Sequence, residues 1–173
     1  AYENDFSVHG GNSCFPTSID ENYPLAHEIN RLNYKSRLAW CYGDLGIAYA
    51  LICAGECLHD NTIIERGLQT ALRTTEMNRP KSADVRDIFF CHGAAGVSYL
   101  YRKLYKKTGE KLFLEASLNW RRLTVVIYQT MRVGLLDKNF SLNLLDGMPG
   151  AVIAMIDSDN DALFNWDQFF LLQ

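Results

Sequence analysis

Apolar residues along this chain fall into two alternating patterns. IAYALICA (residues 47–54) and AVIAMI (151–156) are apolar nearly all round, which fits helices buried on most sides. Between them, Val97, Leu100, Tyr101 and Leu104 keep the i, i+3, i+4, i+7 spacing of an amphipathic helix. Two further stretches have a wetter face: residues 60–77, with Ile64, Leu68 and Ala71 in step, and 110–131, with Leu112, Ala116, Trp120, Leu123 and Ile127 in step. Gly109 suits the connection before the second of these, and Asp157 and Asp159 end the last apolar run.

Each of the three drier helices is opened by a glycine pair of the form Gly-x-x-Gly: Gly43 and Gly46, Gly93 and Gly96, Gly147 and Gly150. The first glycines lie 50 and 54 residues apart, so one supersecondary unit is repeated. The order is inner, outer, inner, outer, inner. That alternation predicts an all-α fold of the α/α toroid type, with helical hairpins around an axis and the drier helices inside. The glycines themselves are consistent with close helix packing or turn geometry. Residues 1–35 follow neither period and contain Gly10, Gly11, Pro16 and Pro24, so they read as an irregular lead-in to a toroidal part at 36–173.

With 48% hydrophobic and 12% aromatic residues, the 173-residue chain can bury one sizeable core. The net charge of −3, from 17 basic and 20 acidic residues spread along the chain, provides no cationic groove and argues against nucleic acid as a partner. The chain contains no apolar run of the roughly 20 residues that span a bilayer, and its first residues lack a signal-peptide pattern. A soluble, cytoplasmic protein is expected. Five cysteines (Cys14, Cys41, Cys53, Cys57 and Cys91) are an odd number, which argues against a disulfide framework and turns attention to metal or thiol chemistry.

Repeat register selects among those thiols. Aligned on the first glycines, Cys41 and Cys91 occupy the same slot, two residues earlier, with Leu145 in the third unit. The next slot holds Tyr42, His92 and Asp146. Equivalent positions on adjacent hairpins lie at one end of the ring, so Cys41, Cys91 and His92 are expected to converge. Two thiolates and an imidazole suit zinc, and three protein ligands leave one tetrahedral position open, as in catalytic sites. Both cysteines precede helix starts, where the dipole favours thiolate. The alternative is that all three are core residues. Asp146 reads first as a helix cap and then as a partner to the metal ligands. Cys53 and Cys57, one helical turn apart, read as core packing, and Cys14 as incidental. His9, His27 and His59 are expected to be solvated or capping.

The segments SRLAWCYGDLG (36–46), FCHGAAG (90–96) and LLDGMPG (144–150) resemble the C-terminal motifs of lanthionine synthetase C-like proteins, over about residues 36–157. Leu45 stands where that family often has proline. The resemblance implies an α/α toroid with one zinc held by Cys41, Cys91 and His92, and active-site wall positions at Arg37 and Trp40. It implies a cyclase that adds a peptide cysteine thiol to dehydroalanine or dehydrobutyrine. The substrate is then a dehydrated precursor peptide, with a dehydratase or a transporter as further partners. An upstream histidine motif that the family uses for acid/base work has no counterpart here. About three hairpins of a ring of six or seven are represented, so the chain is expected to be part of a longer cyclase. A non-catalytic zinc-containing scaffold or peptide-binding module is the alternative. An arc of this kind has exposed apolar flanks, so a homo-oligomer is expected.

Overall fold

The computed structural model describes residues 13–15, 36–135, 141–157 and 166–172. Among these, every regular element is helical: α1 (Asp44–Leu58), α2 (Asn61–Thr74), α3 (Pro80–Ala83), α4 (Ala94–Thr108), α5 (Lys111–Leu135), α6 (Met148–Asp157) and a 3-10 turn at Trp166–Phe170. No helix among the described residues is long and apolar enough to cross a membrane.

Helix pairing follows the repeat. α1 packs on α2 and α4 on α5, while α1 meets α4 and α4 meets α6. Thus α1, α4 and α6 are successive inner helices, and α2 and α5 are outer ones. The residues at the joints explain why each hairpin closes. α1 ends at His59, in the left-handed conformation (φ 54°), and Asp60 then caps α2 by accepting the Thr62 N–H at 2.8 Å. α4 ends at Gly109, φ 72°, where a side chain would cost left-handed strain.

The two hairpins use small residues at their crossings. In the first, Gly67 of α2 lies against the Ala48 carbonyl and the Ile52 side chain of α1. In the second, Ser98 and Ser117 exchange hydroxyl-to-carbonyl hydrogen bonds, 2.9 Å each, between α4 and α5. Both crossing residues, Gly67 and Ser117, are the seventh of their helices. Tyr101, fully buried on α4, donates its hydroxyl to Thr74 Oγ1 of α2 at 2.9 Å and so ties the units together. Fully buried Trp120 and Phe113 seat α5 on α4, each contributing about 2 to 3 kcal/mol of burial.

The wet-faced helices predicted at 60–77 and 110–131 correspond to α2 and α5, α5 running further than its periodicity indicated. Of the lead-in, only residues 13–15 are described. The buried Asp44 carboxylate accepts the backbone N–H groups of Cys14 (2.5 Å) and Phe15 (2.8 Å), and Ser36 N–H donates to Ser13 Oγ at 2.8 Å. His9 and His27 lie outside the described residues.

Candidate metal centre

Each inner helix is preceded by a turn that folds back over the helix start. The second glycine of each pair makes this possible: a Cβ at Gly46, Gly96 or Gly150 would collide with the carbonyl oxygen of the residue six positions earlier, Trp40, Phe90 or Leu144. Close backbone approach is therefore what the repeated glycines provide. The turns are joined edge to edge. Trp40 N–H donates to the Cys91 carbonyl, and Cys91 N–H to the Leu145 carbonyl, both at 2.9 Å.

This stitching brings the expected residues together. One ligand atom from each of Cys41, Cys91 and His92 lies within 4.8 Å of the others. Tetrahedral zinc with Zn–S near 2.3 Å and Zn–N near 2.1 Å places its ligand atoms about 3.6 to 3.8 Å apart, so small side-chain adjustments close the cluster on an ion. The donor set fits zinc. The cluster also has an open side, since Cys41 is exposed while Cys91 is buried. Cys41 Sγ lies 3.7 Å from the Cys91 carbonyl.

The charges around the cluster favour a cation there. Burial first, then hydrogen bonding with Cys41 and its charge, then the carboxylates of Asp146 and Asp87, push the Cys91 thiol up to about 12. At neutral pH and without a metal, Cys91 is therefore a thiol. A divalent ion held by Cys41, Cys91 and His92 would offset the same repulsions and favour the thiolate.

His92 stands between Asp87, 3.5 Å from Nε2, and Asp146, 3.6 Å from Nδ1. Asp146 was expected mainly as a helix cap; its side chain instead faces His92. Asp87 escaped sequence reasoning, because it precedes the repeated slots and only the folded turn brings it back to the histidine.

Arg37 and Trp40, four and one residues before Cys41, are held by different partners. Arg37 donates through Nη2 to the Asp84 carbonyl (2.9 Å) and through Nη1 to the Tyr42 hydroxyl (3.2 Å), with its guanidinium 6.0 Å from the Tyr42 ring centre. Trp40 donates its indole N–H to the Phe170 carbonyl at 3.2 Å and stacks edge-on to Phe170 at 5.2 Å. Behind it, Phe90, Tyr99 and Trp166 complete an aromatic cluster. Within that cluster Tyr99 places its hydroxyl 2.6 Å from Asp157 Oδ2 and 2.9 Å from Asp167 Oδ2, and Lys103 pairs with Asp167 at 2.7 Å.

The remaining thiols lie apart from the metal cluster. Cys53 packs half-buried against the core, as expected; Cys57, also expected in the core, is instead exposed on α1. Cys14 accepts a hydrogen bond from Arg73 at 3.3 Å. His59 is exposed and ends α1, in keeping with a capping role.

Comparison with known proteins agrees with this architecture. A solved structure named nisin cyclase matches with a TM-score of 0.62 and 19% identity, over 82% of this chain and 33% of that one. The shared fold is thus the α/α toroid, and the chain spans about a third of that protein's length. Residues 2–171 match the family described as lanthionine synthetase C-like protein. By that match, together with its glycine-paired hairpins and its Cys, Cys, His cluster, the chain belongs to the lanthionine synthetase C-like family.

Proposed function

We propose that this chain is the zinc-binding portion of a thioether-forming peptide cyclase, with Cys41, Cys91 and His92 as the metal ligands. The observation that carries the reading is the convergence of those three side chains at the stitched ends of the inner helices. The substrate is a dehydrated precursor peptide, encountered in the cytoplasm alongside a dehydratase or transporter. When bound, zinc supplies a Lewis acid that lowers the pKa of an incoming peptide thiol while leaving it nucleophilic. In the reaction, the peptide sulfur bonds to the β-carbon of dehydroalanine or dehydrobutyrine. The π pair moves toward the carbonyl, and a proton delivered to the α-carbon completes the thioether.

The chain's own residues divide the work. Exposed Cys41 and buried Cys91 hold one side of the site and leave the other to the peptide. Arg37, held by the Asp84 carbonyl and the Tyr42 hydroxyl, is a wall residue beside the Cys41 turn. Trp40 is a wall and positioning residue, since its indole anchors the Cys41 turn to the segment at Phe170.

The test combines metal analysis with a cyclisation assay of the full-length parent on a dehydrated peptide. About one zinc per chain, its loss in Cys91→Ala, and loss of ring formation in the same variant are expected. Full metal content in Cys91→Ala would remove the ligand assignment. Stoichiometric zinc with no ring formation would instead favour a non-catalytic zinc-containing scaffold.

A further inference from the structure

The two carboxylates beside His92 are not equivalent. Asp87 is largely buried, with an 18% exposed side chain, and belongs to the turn that carries Cys91 and His92. Its Oδ1 accepts the Phe89 N–H at 2.9 Å, and its backbone carbonyl accepts the Ala94 N–H at 2.9 Å. Gly93 leaves room for this carboxylate, since a Cβ there would collide with Asp87 Oδ1. Asp146 has a 53% exposed side chain and reaches His92 from the next unit. A neutral imidazole offers one nitrogen to a cation and keeps a proton on the other, and a fixed carboxylate decides which.

We propose that Asp87 is the positioning residue for His92: it accepts Nε2–H, fixes that tautomer, and turns the Nδ1 lone pair toward Cys41 and Cys91. The more exposed Asp146 yields its place at Nδ1 to a cation at little cost, whereas Asp87 is pinned by its own turn. The inference rests on the metal reading given above. It goes beyond it by assigning the ligating nitrogen and the residue that selects it.

The experiment uses the whole chain labelled with 15N-histidine and loaded with zinc. Long-range 1H–15N correlations, with His92 identified by its loss in His92→Gln, report which ring nitrogen carries the proton. Protonated Nε2 and metal-bound Nδ1 are expected; the opposite assignment overturns the proposal without any variant at Asp87. Zinc affinity, measured by competition with a chromophoric chelator, is the second readout. Asp87→Asn should weaken it about 10- to 100-fold, while Asp146→Asn, which removes a more exposed through-space charge, should lose clearly less. An unchanged affinity in Asp87→Asn, or a loss confined to Asp146→Asn, overturns the assignment. Failure of the metal reading has a separate signature: no tight zinc in the parent, or undiminished zinc in Cys91→Ala, which overturns both.

Discussion

Replacing Gly96 with alanine should damage the cluster of Cys41, Cys91 and His92 even though the new methyl meets the Phe90 backbone first. The added Cβ would stand 1.8 Å from the Phe90 carbonyl oxygen. At least about 1.5 Å of movement is needed before ordinary van der Waals contact returns. The turn has little freedom to supply it. Phe90 is fully buried, and the next residue, Cys91, is held on both sides by the hydrogen bonds from Trp40 N–H and to the Leu145 carbonyl. Two backbone hydrogen bonds at about 1 kcal/mol each, with overpacking of about 1 to 3 kcal/mol, put the loss near 3 to 5 kcal/mol. That is a large share of the roughly 5 to 15 kcal/mol that holds a domain folded. Gly109→Ala is the control: its Cβ would meet nothing within 4 Å, so only the left-handed backbone at φ 72° is penalised, at about 1 to 2 kcal/mol. Urea unfolding midpoints and zinc competition measured on both variants separate the effects. Gly96→Ala should lose more stability than Gly109→Ala and also lose zinc affinity. If Gly96→Ala matched the control in stability and bound zinc like the parent, the close approach would not be what places Cys91 and His92.

Three other outcomes are expected. Because the Cys91 thiol is pushed up to about 12 from a usual value near 9, the metal-free folded chain keeps a proton that the unfolded chain releases. Its stability should therefore fall as pH rises from about 9 toward 12, and zinc loading should remove the share due to Cys91 while leaving that of Cys14, Cys53 and the buried tyrosines, whose values burial also raises; urea midpoints that fall equally with pH in the presence and absence of zinc would contradict this. Tyr99→Phe removes the hydroxyl shared by two buried carboxylates and should cost about 1 to 3 kcal/mol, with faster amide exchange at 166–172, whereas unchanged exchange would make the contact idle. Val152 of α6 is 45% exposed, although its register equivalents Ala48 and Ser98 are buried against outer helices. Light scattering across a concentration series should show self-association that Val152→Lys reduces; a concentration-independent monomer would contradict it.

The fold and the convergence of Cys41, Cys91 and His92 were legible for the same reason. Glycine pairs mark the start of each inner helix, and counting back from them places Cys41 and Cys91 in one slot with His92 beside the second. Residues that act across a turn or between units were harder to read. Asp87 has no periodic signature, and its role depends on a turn that returns it to a histidine five residues on. Cys57 misled because apolar all-round composition does not show which side of α1 the outer helix covers. The Pro80–Ala83 turn and the 3-10 turn at Trp166 are too short to carry a period, and the latter is held by aromatic contacts and by Asp157, Tyr99 and Lys103 rather than by local pattern.

The outer helices differ greatly, 14 residues in α2 against 25 in α5, yet both units deliver a cysteine to the same cluster. The positions of the sulfurs are encoded in the short count from cysteine to glycine pair, and the long peripheral return is free to vary. Insertions and deletions should accordingly be tolerated in the outer helices and the connections behind them, while a single-residue change between Cys91 and Gly96 would rotate a ligand out of reach. The periphery, and with it whatever it recognises, can then be remodelled while the cluster at the hub keeps its geometry.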